Sequence, residues 1–274
     1  MPELPEVETI VRGLRKTILN RTIDSVYINS PKITKINIKN WTELCRGQKL
    51  VSVRRRGKNI LIELSDGYTL WVHLKMTGHF YFVTQKEPLD KHDLLIFHFK
   101  NCSHSLHFND YRRFGKVRFL KTDQIAYQRG LAALGPEPLA ISLSHFIDLF
   151  KKSRRMIKPA LLDQTFLAGL GNIYADEALY QIRIHPRRLT NRLSEKKLTE
   201  LHRSIKKLLL KAIEKMGTSV DSFSGVDGKP GQFQKYLQVY GRQGKPCHRC
   251  RSSIKREKIG SRSAHYCPRC QRIR

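Results

Sequence analysis

The chain has 274 residues, 40% hydrophobic and 9% aromatic, with 52 Lys+Arg against 23 Asp+Glu and a formal charge of +29 at pH 7. That length allows two domains, or two and a small appendage, and the apolar content suffices for packed cores, which excludes a disordered polycation. No apolar run approaches the ~20 residues that span a bilayer, and the opening Met1-Pro2-Glu3-Leu4-Pro5-Glu6 lacks the basic-then-apolar order of a signal peptide, so neither membrane insertion nor secretion is expected.

So large a positive excess repels itself unless a polyanion offsets it, and nucleic acid is the partner it points to. In chain order, the first predicted element is a helix. Pro5 suits its first position, Glu6 and Glu8 sit in its first turn, and Val7, Ile10, Val11 and Leu14 follow the i, i+3, i+4, i+7 pattern of a packed face. A helix starting there fixes the amino terminus. From about Thr22 to Leu120 the texture is β, in short runs such as Ile60–Leu64, Tyr68–Val72, Leu94–Phe99 and Lys116–Leu120, with Ser65-Asp66-Gly67 as a hairpin turn. This spacing predicts an antiparallel sandwich or barrel. Arg54-Arg55-Arg56-Gly57-Lys58 reads as a basic loop at one sheet end, and Asn109–Gly115 places arginines beside an aromatic at a strand junction, a wedge for a base stack. Gly135-Pro136-Glu137-Pro138 continues neither helix nor central strand and marks a linker. Beyond it the patterns are helical, one helix capped at Ser144 and a longer one running from Ser194 to Met216-Gly217. A β block followed by a helical block indicates two segregated domains.

Four of the six cysteines form Cys247-x2-Cys250 and Cys267-x2-Cys270, with 16 residues between the pairs, the spacing of a four-thiolate zinc site. Two disulfides in a secreted module are the alternative, which the amino-terminal sequence opposes. Four protein ligands leave no open position, so one Zn²⁺ here is structural. Cys45 and Cys102 read as packing residues. From Arg242 to Arg274 the basic residues are opposed by Glu257 alone, as expected of a ribbon docked on phosphate. At the other end, Pro2 becomes terminal if Met1 is removed. A terminal amine close to neutral pKa beside Glu3 is suited to covalent attack on an electrophilic carbon, although an ordinary helix start explains the same residues.

Taken together, Met1–Thr9, Arg56-Gly57-Lys58, His73–Gly78, Asp110–Gly115, Gly169-Leu170-Gly171-Asn172-Ile173-Tyr174 and the terminal ribbon resemble formamidopyrimidine-DNA glycosylase, over the whole chain and in the same order. The resemblance implies an α+β protein. It would have an N-terminal antiparallel β-sandwich with an N-terminal helix (1–130), a linker (131–140), a helical helix–two-turns–helix domain (141–235) and a four-cysteine zinc ribbon (236–274). It also implies a base-excision enzyme that flips out oxidised purines (8-oxoguanine, formamidopyrimidines) and nicks the strand by β,δ-elimination. Catalytic roles fall by analogy on Pro2, Glu3, Lys58 and Arg262. DNA contacts fall on His73, Met76, Arg112, Phe114, Lys158, Asn172 and Arg262, and Glu6 is structural. The implied partner is double-stranded DNA holding an oxidised purine or abasic site, the implied state a monomer, and the implied location the bacterial cytoplasm at the nucleoid. Lys75 and Tyr111 stand where the family has a small residue and Pro, and Asp221, in the loop aligned with the lesion-capping loop, stands where Arg is frequent. An endonuclease VIII-like pyrimidine glycosylase and a non-catalytic zinc-ribbon protein are the competing readings; Leu4 and Val7 favour the purine enzyme.

Overall fold

The computed structural model describes residues 1–30, 38–219 and 223–273. Its elements in chain order are α1 (Leu4–Ile18), β1 (Ile23–Ile28), α2 (Ile38–Cys45), β2 (Leu50–Arg56), β3 (Asn59–Leu64), β4 (Tyr68–His73), β5 (His79–Thr84), β6 (Asp93–Phe99), β7 (His104–Asn109) and β8 (Lys116–Lys121). Then come α3 (Arg129–Ala132), α4 (Leu143–Lys151), α5 (Ile157–Leu162), α6 (Asn172–Gln181), α7 (Glu195–Glu214), β9 (Lys255–Ile259) and β10 (Arg262–Tyr266). They fall into two compact units, Met1–Ala132 with Lys215–Gln232, and Ala133–Glu214 with Phe233–Arg274.

The first unit holds two four-stranded antiparallel sheets, ordered β1-β6-β7-β5 and β2-β3-β4-β8. Alternation puts one side of each sheet into a shared core: Leu95, Phe97 and Phe99 from β6, Leu106 and Phe108 from β7, Ile60, Ile62 and Leu64 from β3. The buried face of α1 (Val7, Ile10, Val11, Leu14 and Ile18) closes the same core. A sandwich, not a closed barrel, is therefore the observed solution. Cys45 lies inside it, and burial pushes its thiol up to about 12, so it is an inert packing group.

Two local expectations shift. α1 begins at Leu4, with Glu3 as N-cap and Pro5 one position further in, because Glu3 and Glu6 form a reciprocal capping box. Arg54, Arg55 and Arg56 belong to β2 and pair with Leu61, Ile60 and Asn59, so only Gly57-Lys58 forms the turn.

In the second unit, α7 buries Leu198, Leu201, Ile205, Leu208 and Ala212. α4 is capped by Ser142, whose side chain accepts from the His145 amide, two residues ahead of the expected Ser144. Phe146 and Phe150 of α4 stack with centroids 4.3 Å apart. Within the expected linker, the Gly135 amide donates to the Gln164 carbonyl.

The helical pattern alone groups Lys215–Gln232 with the preceding helix, but these residues pack in the first unit. The Thr218 amide donates to Glu6 Oε1 at 2.8 Å, and the Phe82 amide donates to the Val226 carbonyl at 3.2 Å. Gly217 makes this return possible. Its φ is +78°, and a Cβ there would sit 2.8 Å from Glu6 Oε1. Gly217→Ala is therefore expected to lower unfolding free energy by about 1–3 kcal/mol in urea titration, and Glu6→Gln, whose NH2 would face one of the two backbone donors that the carboxylate now accepts, by a similar amount.

Candidate active site and zinc centre

Pro2, Glu3 and Glu6 are all buried at the start of α1. The Glu3 carboxylate accepts from the Glu6 amide, and the Glu6 carboxylate accepts from the Glu3 amide at 2.8 Å through Oε2 and from Thr218 through Oε1. Glu6 thus ties the backbone next to Pro2 to that of Thr218. The positive end of the helix dipole faces both carboxylates.

One end of the sheet β2-β3-β4-β8 gathers cations around a histidine. Lys58 precedes Asn59, which pairs with His73, which pairs with Lys116. The Lys58 side chain is buried at 7% exposure. Burial, and then Lys75, Lys58 and Lys116, push the His73 imidazole down to about 4. Its Nδ1 accepts from the Lys75 amide at 3.0 Å, so neutral His73 carries its proton on Nε2, a donor suited to an oxygen ligand. Lys75 has φ +56°, the conformational reason a small residue is easier there.

Met76, Arg112 and Phe114 come from two different turns that one side chain joins. Asp110, with 0% exposure, accepts from the Thr77 hydroxyl, from the Arg112 amide at 3.2 Å and from the Gly115 amide at 2.6 Å. A Cβ on Gly78 or Gly115 would come within 2.9 Å of the Phe108 ring, so both turns lie directly on the core. Their tips project outward. Met76 is 37% and Phe114 52% exposed, and the Arg112 guanidinium lies 4.8 Å over the Phe114 ring. Sequence reading missed Asp110; a single buried acid between two glycine turns leaves no periodic signal.

In the second unit, α6 is buried on nearly all sides and carries two acids inward, Asp176 and Glu177. Asp176 accepts from Lys158 Nζ at 2.5 Å and from the His265 amide at 2.9 Å, while Lys158 Nζ also donates to the Ser263 carbonyl at 2.5 Å. Lys158, of which a phosphate contact is expected, sits inside the unit at 0% exposure, where the buried carboxylate draws the ammonium in. Glu177 accepts from the amides of Gln238, Val239 and Tyr240; burial pushes its carboxyl up while those three donors pull it down. Asn172 stands at the first turn of α6, and Arg262 is exposed at the start of β10 beside the hairpin tip. Asp221 lies outside the described residues.

The Sγ atoms of Cys247, Cys250, Cys267 and Cys270 lie within 4.8 Å of one another. The Cys247–Cys270 and Cys250–Cys267 separations are 4.0 and 3.4 Å. A tetrahedral Zn²⁺ with Zn–S bonds of about 2.3 Å sets sulfurs roughly 3.8 Å apart, so the donor set fits the ion. The Ser252 hydroxyl and amide hold the Cys250 thiol down at about 6, ready to ligate as thiolate. Tyr180 of α6 reaches Cys247 Sγ at 3.2 Å and anchors the knuckle to the helix.

Family models match the chain in three consecutive stretches: the formamidopyrimidine-DNA glycosylase N-terminal domain over residues 1–117, the formamidopyrimidine-DNA glycosylase H2TH domain over 134–224, and a zinc finger found in FPG and IleRS over 244–273. The formamidopyrimidine-DNA glycosylase of Pelotomaculum thermopropionicum is 44% identical and that of Lactiplantibacillus plantarum 41%, each alignment covering 100% of both chains. Among solved structures, a Lactococcus lactis FPG mutant in complex with Fapy-dG-containing DNA superposes with a TM-score of 0.93 at 38% identity, covering 99% of this chain and 100% of that one. Lactococcus lactis Fpg with abasic-site DNA gives 0.92 at the same identity and coverage. Sandwich, helix–two-turns–helix and zinc ribbon in this order define a zinc-ribbon DNA glycosylase. The chain belongs to the formamidopyrimidine-DNA glycosylase family.

Between pH 6.5 and about 4 an unfolded His73 binds a proton that the native residue refuses, so stability falls as pH drops through that window. Relative to His73→Gln, the wild type should lose on the order of 3 kcal/mol by pH 4, read from urea titrations of both proteins across the window. Cys247→Ala, or chelation, should release the metal and weaken duplex binding together; a variant that loses zinc yet binds DNA as before would show that the ribbon is dispensable.

Proposed function

We propose that this chain excises oxidised purines, 8-oxoguanine and formamidopyrimidines, from duplex DNA and then cleaves the strand, with Pro2 as nucleophile. The observation that carries this reading is the Glu6 clamp, which fixes the backbone beside a buried Pro2 and leaves the amino terminus no freedom to fray. Removal of Met1 makes Pro2 a secondary amine. Its lone pair attacks C1′ of the flipped nucleotide, and the electrons of the glycosidic bond leave with the base. Glu3 protonates the sugar-ring oxygen, which opens the ring to an iminium on Pro2. The iminium acidifies C2′. Loss of that proton expels the 3′ phosphate, a second elimination expels the 5′ phosphate, and water frees Pro2.

Lys58 and His73, at one sheet end, are suited to bind phosphate, as is Arg262 beside the ribbon tip. Met76, Arg112 and Phe114 would fill the space the nucleotide vacates, and their joint mounting on Asp110 supports a common action. Asn172 would meet phosphate at the start of α6. Lys158 acts through the hairpin that bears Arg262, since its ammonium holds the Ser263 carbonyl. Zinc, bound by the four cysteines, cross-links the ribbon and takes no part in bond breaking.

The chemistry is thus assigned to residues 1–130 with 215–232, and duplex gripping in the second unit to Asn172 at the start of α6 and to the ribbon hairpin that bears Arg262. Among the described residues no helix is long and apolar enough to cross a membrane, and a monomer acting in the cytoplasm at the nucleoid fits a DNA substrate.

Borohydride should trap wild-type protein covalently on 8-oxoguanine or abasic duplex. Pro2→Gly should lose trapping by at least ~10²-fold while still shifting the duplex in a gel. Full incision by Pro2→Gly would remove the nucleophile from Pro2.

A further inference from the structure

Beyond the repair reaction, the second unit contains a cavity of about 670 Å³ at the C-terminal end of α6, beside the cysteine knuckles. Asn172 lies at the opposite end of that helix, and none of the lesion-binding residues named above lines the cavity. Its lining holds seven Lys or Arg and no acid, including Arg183, Arg188, Arg192, Arg269 and Arg272. Among the described residues, Arg183, Arg188, Arg192 and Arg269 form no ion pair. Two acids of the same unit are already engaged, Glu257 by Arg187 and Tyr266 and Glu200 by Lys197, and neither lines the cavity.

Neither the helix end nor the zinc centre accounts for so many cations. The carbonyl end of α6 attracts positive charge, but Arg249 already bonds the Tyr180 and Gln181 carbonyls, and Lys197 that of Ile182. A four-thiolate zinc centre carries two negative charges, fewer than the lining offsets. Arg183 also keeps a left-handed φ of +60°, where glycine is ordinarily favoured after a helix.

We infer that this cavity is a binding site for a compact polyphosphate, of the nucleoside triphosphate or inorganic tripolyphosphate class. Guanidiniums converging without counter-ions match phosphate oxygens bidentately, and several set around one hollow match a chain of linked phosphates better than a single anion. The volume lies within the ~300–1,000 Å³ typical of small-molecule sites. Ile184 and Leu193, both buried, give the cavity an apolar part on which a base can rest.

The test is isothermal titration of zinc-loaded full-length protein with tripolyphosphate and, separately, with ATP. Saturable binding of either ligand is expected, weakened about tenfold for each guanidinium removed in Arg188→Gln and Arg188→Gln/Arg192→Gln, with incision of lesion-bearing duplex unchanged. ATP binding more tightly than tripolyphosphate would identify a nucleotide site, and equal affinities a site for the phosphate chain alone. Circular dichroism checks the fold of each variant, and Arg183→Gln, at an exposed position, gives an independent reading. Three outcomes overturn the proposal: no saturable binding up to about 1 mM, affinity that survives these substitutions but falls in Arg262→Gln, or displacement of the ligand by undamaged duplex.

Discussion

The carboxylate of Glu6 is the constraint on which the amino-terminal end of this protein depends. One oxygen accepts the Glu3 amide and closes the first turn of α1; the other accepts the Thr218 amide, more than two hundred residues later in the chain. A buried carboxylate is costly unless its lone pairs are filled, and here backbone donors fill them. The energetic demand of that one group therefore fixes the amino terminus, brings Lys215–Gln232 into the first unit and requires a side-chain-free residue at Gly217. An amine at the end of a flexible chain is a poor nucleophile because its orientation must be recovered in every encounter; an amine held by the helix start is oriented in advance.

Buried acids do similar work elsewhere. Asp110 gathers the Thr77 hydroxyl and the amides of Arg112 and Gly115, so the two turns carrying Met76, Arg112 and Phe114 are tied together over Phe108. Apolar and guanidinium groups can then stay exposed at the tips without collapsing onto the core, as the proposed wedging into a base stack would require. Asp176 and Glu177 do the same for the ribbon, one drawing Lys158 and β10 to α6, the other capturing three successive amides ahead of the first knuckle. These few buried acids organise structure, while the large excess of cations suits a polyanionic partner.

Much of this was legible in the sequence because it rests on local rules. The four cysteines declare their metal through spacing, α7 declares its face through alternating leucines, and the resemblance of the amino-terminal, His73–Gly78, Asp110–Gly115 and ribbon motifs pointed to the family that full-length relatives establish. Capping errors were small and local: Ser142 for Ser144, and a helix starting one residue before Pro5, because several residues of one type compete for a cap and only the hydrogen bond decides.

By itself, then, the sequence determined the order of β block, helices and ribbon, the zinc ligands and the identity of the motif residues, since each depends on neighbours within a few positions. Tertiary structure alone decided that the β block is a sandwich, that Lys215–Gln232 returns to it, that Lys158 is interior, that His73 stays neutral among three lysines, and that arginines from α6's exit and the knuckles share one cavity. These depend on burial and on charges brought together from distant parts of the chain, and neither quantity is defined until the chain has folded.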